Sequence, residues 1–405
     1  MKDTPGKPMQ TPSGGMPKLR EPSPWMRRGM AALSLAKFAG TLFLFLVSLK
    51  MMGAAFKLFG SDFSTWLLSR TSNPFIGLFV GILSTSIVQS SSATTSMVVI
   101  MVGEGNLTVT NAVPIIMGAN IGTTVTCALV SLGHMTRREE FRRAMSGALV
   151  HDFFNLLAVS ALLPVELLTA RIWGKGILER LATGLTGLLS GAEEVSYDSP
   201  LKALLKWAAG LVVGPLKDWA GDATGRKVAA GVIVLVIALS LLFAMLYLMT
   251  KIMRRVLKGR AEKVLDQTIG RSALLGMLVG MIITAIVQSS SATTSLLVPL
   301  AGAGILTVEQ IFPITLGANV GTTVTALLAS LAAGPAGLTI ALVHLLFNAS
   351  GIILIYPVPM VRRLPIRAAK WMAGLAAESK RYAFAFILGL FFVMPGLLIY
   401  VSKLL

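Results

Sequence analysis

IVQSSSATTS occupies Ile87 to Ser96 and recurs, residue for residue, at Ile286 to Ser295. Gln, Ser and Thr at this density are ordinary in a loop, yet both copies lie inside segments that are otherwise apolar. The offset of 199 between Ile87 and Ile286 also carries Leu42 onto Leu241, Gly60 onto Gly259, Gly81 onto Gly280, Thr85 onto Thr284 and Pro114 onto Pro313, and GANIGTTVT (Gly118 to Thr126) onto GANVGTTVT (Gly317 to Thr325). At a shorter offset of 193, ALVHDFFN (Ala148 to Asn155) returns as ALVHLLFN (Ala341 to Asn348), and Pro164 as Pro357. The residues lost between the two offsets come out of the charged loop HMTRREEFRR, which begins at His134 and has little more than GPAG near Gly334 as its counterpart. One unit is used twice, and every other feature is read against that repeat.

Composition sets the solvent. With 54% hydrophobic and 13% charged residues and a mean hydropathy of +0.76, the chain has too little polar surface for a water-soluble globule and reads as a multi-pass protein of the lipid bilayer. The net charge of +18 is clumped in loops between apolar runs with no interleaved aromatics, which argues against nucleic acid as a partner. A lone cysteine, Cys127, excludes an intramolecular disulfide. No secretory signal is expected, because residues 1–28 are polar, basic and Pro-rich, and the apolar run after them is long enough to stay as a span.

Apolar length and Lys/Arg bias give the organisation. Residues 1–28 are expected to be a disordered basic cytoplasmic tail, 29–170 the first membrane repeat, 171–228 a connector with surface-lying amphipathic helices near 177–189 and 201–219, and 229–361 the second repeat. Residues 362–405 then hold an interfacial segment and a C-terminal transmembrane helix. Spans are expected at 31–56, 113–132, 144–168, 228–253, 313–331, 338–360 and 384–404. Between the first two, 75–88 and 93–102 flank the first QSSS; at 1.5 Å per residue each arm covers roughly 15 to 20 Å, short of a hydrocarbon core of about 30 Å. A re-entrant hairpin satisfies that length, and two short full helices are the competing reading. Residues 273–302 repeat the pattern. Two glycines and an Asn in GANIGTT, and again in GANVGTT, suggest a helix broken at mid-depth in each unit.

Three crossings per unit invert the second unit relative to the first. The basic stretches at the N-terminal tail and at 134–143, 251–271 and 362–370 then all fall on the cytoplasmic side. The fold class expected is therefore an all-α polytopic membrane protein of two inverted-topology repeats, each with a re-entrant hairpin and a broken helix. That architecture belongs to secondary transporters, with the binding site at the repeat interface near mid-depth.

Residues 75–133 and 274–333 contain no Lys or Arg, and their acids are Glu104 and Glu309. A charged solute must there be held by neutral groups. Hydroxyls and half-helix N-termini take an anion; Gln, Asn, Ser and Thr oxygens take a hard cation such as Na⁺. These residue types together suit ion-coupled transport of a small anion, without naming it. Small hydroxylated residues also serve close helix packing, and that reading competes for Ser96 and Thr126. It does not account for the duplicated Gln89, Ser90, Ser91, Ser92 and Gln288, Ser289, Ser290, Ser291, or as readily for Asn120, Thr123, Asn319 and Thr322. His151 and His344 read as proton carriers or as hydrogen-bonded struts, with the strut preferred. Asp152 has no twin, since Leu345 stands opposite. No metal-ligand cluster, nucleotide loop or recurring His/Asp/Ser set supports an enzyme; sodium is the one metal expected, no transition metal and no cofactor.

The doubled QSSS, the two GAN-containing runs, FRRAMSGALVHDFFN (Phe141 to Asn155) and ALVHLLFNASGIILIYPVP (Ala341 to Pro359) resemble the type II sodium-dependent phosphate cotransporters. The resemblance implies Na⁺/inorganic phosphate symport by alternating access in a plasma (inner) membrane, N-terminus cytoplasmic, with the two QSSS tips facing each other around phosphate. Carried over by motif, Gln89, Ser90, Ser91, Ser92, Gln288, Ser289, Ser290 and Ser291 form the phosphate site. Na⁺ ligands come from Gln89, Thr94, Thr95, Asn120, Thr123, Gln288, Thr293, Ser295, Asn319, Thr322 and Thr323. The chain's small size and bare tail suit a prokaryotic member, its cysteine-free connector departs from animal members, and a homodimer is compatible with the resemblance. The competing functions are a sodium-coupled carrier of another small oxyanion, such as sulfate or a carboxylate, and an anion channel.

Overall fold

The computed structural model describes residues 24–190, 200–257 and 272–402. Residues 1–23 of the N-terminal tail, part of the connector and most of the basic stretch at 251–271 lie outside the described residues; the end of the expected disordered tail, from Pro24 on, is instead the start of a helix. The described residues are helical, with no strand. Among the described residues, seven helices are long and apolar enough to cross a membrane, at Ala32–Phe59, Val109–Leu132, Arg138–Trp173, Thr224–Met253, Val308–Ser330, Gly334–Ile355 and Lys380–Val401. They fall on the seven spans expected from hydropathy.

In chain order the first unit comprises α1 (Pro24–Phe59), α2 (Ser61–Thr71), α3 (Pro74–Val88), α4 (Ser91–Gly103), α5 (Val109–Gly122), α6 (Val125–Leu132) and α7 (Arg138–Trp173). Helices α8 (Ile177–Ser190) and α9 (Pro200–Ala220) follow. The second unit runs through α10 (Thr224–Leu257), α11 (Ala273–Val287), α12 (Ser290–Ser295), α13 (Leu297–Gly302), α14 (Val308–Ser330) and α15 (Gly334–Ile355). Then come α16 (Pro359–Glu378), α17 (Lys380–Leu388), a π-helical turn at Gly389–Val393 and α18 (Met394–Val401).

The repeat in sequence is a repeat in packing. Helix α3 lies on α5 as α11 lies on α14, and α1 and α10, the first span of each unit, pack against one another. The units also exchange partners: α7 packs on α13 of the second unit, and α15 packs on α4 of the first. Each unit's last span thus covers the other unit's second hairpin arm.

Glycine explains how closely these pairs approach. A Cβ on Gly81 would run into the Ile115 carbonyl, and one on Gly118 into the Leu78 carbonyl; in the second unit Gly280 meets the Ile314 carbonyl and Gly317 that of Met277 in the same way. Four backbone-to-backbone contacts are therefore possible only without a side chain. The expectation of a broken helix needs correction here. In the first unit the interruption is a loosened turn at Thr123 and Thr124, between α5 and α6. In the second, α14 runs unbroken through GANVGTT. The glycines serve helix contact, and their low helix propensity is offset by the packing they allow.

Gly317→Ala should therefore lower the thermal stability of the purified protein, by about 1–3 kcal/mol as expected for an overpacked site. Gly40→Ala, where nothing lies within 4 Å, should be neutral or slightly stabilising. Equal melting shifts for the two variants would refute the close-approach reading.

Candidate functional site

Each QSSS forms the tip of a hairpin. Helix α3 ends at Val88 because Gln89 takes the left-handed conformation (φ 57°, ψ 25°), and α11 ends at Val287 because Gln288 does the same (φ 59°, ψ 27°). Among the described residues these two are the non-glycine positions with positive φ, a conformation that costs of order 1–3 kcal/mol unless its surroundings enforce it.

The surroundings do enforce it, identically in both units. The backbone N–H of Gln89 donates to the Thr85 carbonyl at 2.8 Å, and that of Gln288 to Thr284 at 2.7 Å. Each side-chain amide turns back on its own helix: Gln89 Nε2 donates to the Ser86 carbonyl at 2.5 Å, and Gln288 Nε2 to the Ala285 carbonyl. Each amide oxygen is then held by a threonine from the neighbouring helix, Thr126 on Gln89 at 3.0 Å and Thr325 on Gln288 at 2.9 Å. The next serine caps the second arm. Ser90 Oγ accepts from Ala93 N, and Ser289 Oγ from Ala292 N, both at 3.2 Å.

The two tips meet. Ser92 Oγ donates to the Gln288 carbonyl at 3.3 Å and lies 3.4 Å from Thr325 Oγ1. All eight residues expected around phosphate, Gln89 to Ser92 and Gln288 to Ser291, line one cavity of about 260 Å³, together with Phe243, Leu246, Tyr247 and Thr250 of α10. Among the described residues no charged side chain lines it. The start of α4 and the start of α12, which α13 continues through the helical residue Leu296, open onto this cavity. Their first-turn N–H groups at Ser91, Ser92, Ser290 and Ser291 have no intrahelical acceptor.

The residues expected around Na⁺ divide. Thr94 and Thr293 lie just behind the tips and donate to the Ser90 and Ser289 carbonyls at 3.2 and 3.3 Å, while Thr95 donates to the Ser92 carbonyl and Ser295 ends α12. Thr123, Thr322 and Thr323 bond back to carbonyls of their own helices. Asn120 and Asn319 belong to a separate buried polar cluster. His151 Nε2 of the first unit lies 2.5 Å from Asn319 Oδ1 of the second, and His344 Nε2 of the second lies 3.4 Å from Asn120 Oδ1 of the first. Asn319 Nδ2 donates to Asn155 Oδ1 at 2.8 Å, and Asn155 Nδ2 to the Asn120 carbonyl at 2.9 Å. The histidines are struts, and they tie one unit to the other.

Two contributors, Thr126 and Thr325, are not expected from sequence. Thr126 had been read as packing and Thr325 not singled out, although each ends a GTTVT run, a duplication that could have flagged them. Asp152 is fully buried, and neither carboxylate oxygen has a protein hydrogen-bond partner. It lies close enough to Cys127 to interact electrostatically; Cys127 Sγ is 2.9 Å from Thr294 Oγ1, which donates to the Ser290 carbonyl at 2.8 Å. A buried carboxyl group thus lies behind the second tip. Among the described residues no group of three or more His, Cys, Asp or Glu is placed to hold a metal ion.

The family described as Na⁺/Pi-cotransporter matches residues 44–173 and 241–377, the two repeat units. The chain is 36% identical to sodium-dependent phosphate transport protein 2B of Pongo abelii and of Homo sapiens, in each case over 88% of this chain and 63% of the relative. It is 35% identical to sodium-dependent phosphate transport protein 2A of Ovis aries, over 93% of this chain and 70% of the relative. The chain thus spans about 63% of the length of the first two relatives. No solved structure matches it. With both repeats covered by the family match, and duplicated tips built the same way in each, the chain belongs to the Na⁺/Pi-cotransporter family.

Proposed function

We propose that this chain is a secondary active transporter that couples Na⁺ to inorganic phosphate in symport across the plasma membrane, by alternating access. One observation carries the reading: two identical hairpin tips direct serine hydroxyls and first-turn amides into a single cavity without a charged side chain. Phosphate is an acceptor on every oxygen, and N–H and O–H donors fixed in place replace its water. The names of the relatives agree, since both are sodium-dependent phosphate transport proteins.

In this reading Gln89 and Gln288 set the tips, and the serines of both motifs hold the anion. The Na⁺ ions take oxygens from the threonines behind the tips and a formal charge from Asp152. A cation near the anion lowers the cost of placing either in a low-dielectric layer. The two units are inserted in opposite orientations, so the hairpins re-enter from opposite sides and their tips meet between them. An arm of 13 to 15 residues is about 20 Å long, which suits a hairpin that turns back at mid-depth.

The direct test is uptake of radiolabelled phosphate into proteoliposomes. Phosphate should accumulate with an inward Na⁺ gradient and not without one, and arsenate should compete where sulfate does not. Phosphate flux indifferent to Na⁺ would make the protein an anion channel, and competition by sulfate would reassign the solute.

Gln288→Ala, which removes the acceptor of the Thr325 hydroxyl and the donor to the Ala285 carbonyl, should abolish Na⁺-driven uptake while the protein remains in the membrane. Thr325→Val removes the hydrogen bond to Gln288 and the longer one from Ser92; at about 1 kcal/mol for the shorter bond alone it should slow uptake at least about fivefold. Normal uptake by Gln288→Ala would remove the second tip from the transport site. Asp152→Asn should raise the Na⁺ concentration needed for half-maximal uptake; a Na⁺ dependence identical to wild type would place Asp152 outside the ion path.

A further inference from the structure

A second cavity, away from the hairpin tips, has the opposite chemistry. It measures about 470 Å³ and is lined by Glu309, Phe312, Tyr356, Ile366 and a basic set, Arg362, Arg363, Arg367 and Lys370. The basic set sits on α16, which also buries Pro365, Ala369, Met372 and Ala373. Three arginines and a lysine stand against one carboxylate. Lys370 Nζ is paired with Glu309 at 2.7 Å, and the Arg362 guanidinium lies over the Tyr356 ring at 5.0 Å. Among the described residues no carboxylate pairs with Arg362, Arg363 or Arg367. Like charges gathered at one concave site repel unless an anion joins them.

The depth of the cavity is fixed by its neighbours. Tyr356 directly follows the span Gly334–Ile355, and Glu309 is the second residue of the span Val308–Ser330. The cavity therefore opens at the level where apolar spans end, which in a bilayer is the headgroup layer. Beside the basic set, α16 exposes Met360, Leu364 and Trp371. Apolar and aromatic side chains next to cations are what an acyl chain and its headgroup meet at that depth.

We infer that this cavity binds a phosphate group, held by Arg362, Arg363 and Arg367 at the membrane surface and separate from the transport site. Guanidinium groups favour phosphate because their planar fork donates to two of its oxygens at once. The group has two sources of the same chemistry, the phosphodiester of an anionic phospholipid and free inorganic phosphate. The inference does not rest on the transport reading, because its test is binding at α16.

The test uses the full chain purified in detergent and titrated with phosphatidylglycerol, phosphatidylcholine and inorganic phosphate, with bound ligand counted by native mass spectrometry. Wild type should retain phosphatidylglycerol in preference to phosphatidylcholine. The double variant R363Q/R367Q should retain it at least about tenfold less tightly, the consequence of losing two charge-assisted contacts. The charge-matched control K380Q/R381Q, on exposed residues of α17, should bind as wild type does. Displacement of the lipid by millimolar inorganic phosphate would assign the site to the free ion as well; retention of the lipid against phosphate would assign it to the lipid. Equal binding by R363Q/R367Q and wild type, or equal loss in K380Q/R381Q, would overturn the inference. A monodisperse size-exclusion profile for each variant separates loss of the site from loss of the fold.

Discussion

A chain that reverses direction inside an apolar layer must satisfy its own backbone there, because lipid offers no partners and each unpaired N–H or C=O costs several kcal/mol. A helix end leaves four carbonyls open and a helix start four amides. The tip sequence meets this demand with few residues. Gln89 and Gln288 turn the chain with a left-handed residue and return a side-chain amide to the preceding helix, the following serine caps the next one, and a threonine from a packed helix completes each glutamine. Much of the polarity of QSSS is therefore used in holding the turn. What remains, the serine hydroxyls and the first amides of each second arm, faces the other tip.

The two halves are alike in construction and unlike in detail, and the differences fall near the cavity. Gln89 is exposed where Gln288 is buried, and Ser92 reaches across to the Gln288 carbonyl. A buried Asp152 stands where its counterpart position holds Leu345. The reciprocal pairs His151 with Asn319 and His344 with Asn120 are closer to symmetric, at 2.5 and 3.4 Å. Hydrogen bonds that cross from unit to unit in a low-dielectric core are costly to break, so the cluster fixes how the halves sit while the tips above it differ.

The repeat and the seven spans are legible because hydropathy and duplication record them directly. The roles of individual residues were less so. Gly118 and Gly317 read as helix breakers because a glycine in mid-span weakens a helix in isolation; the structure uses them to bring α5 onto α3 and α14 onto α11, a contact between residues far apart in sequence. Thr126 and Thr325 were passed over for a related reason. Each bonds a glutamine 37 residues away, and one sequence gives no register between two helices. Asn120 and Asn319 read as ligands from the duplicated polar runs and the resemblance; their histidine partners lie in the opposite unit, where no local pattern could place them.

The two anion surfaces we propose differ in the way their tasks require. A carrier must let its solute go within each cycle, and an arginine fork in a buried site would hold phosphate through charge-assisted hydrogen bonds worth about 1.5–3 kcal/mol apiece. Neutral amides and hydroxyls bind the same oxygens less tightly, and the missing positive charge is supplied by a cation that arrives and leaves with the anion. That arrangement makes occupancy of the tips depend on Na⁺. At the membrane surface, α16 has no such requirement, and permanent guanidinium charge is suited to a group meant to stay.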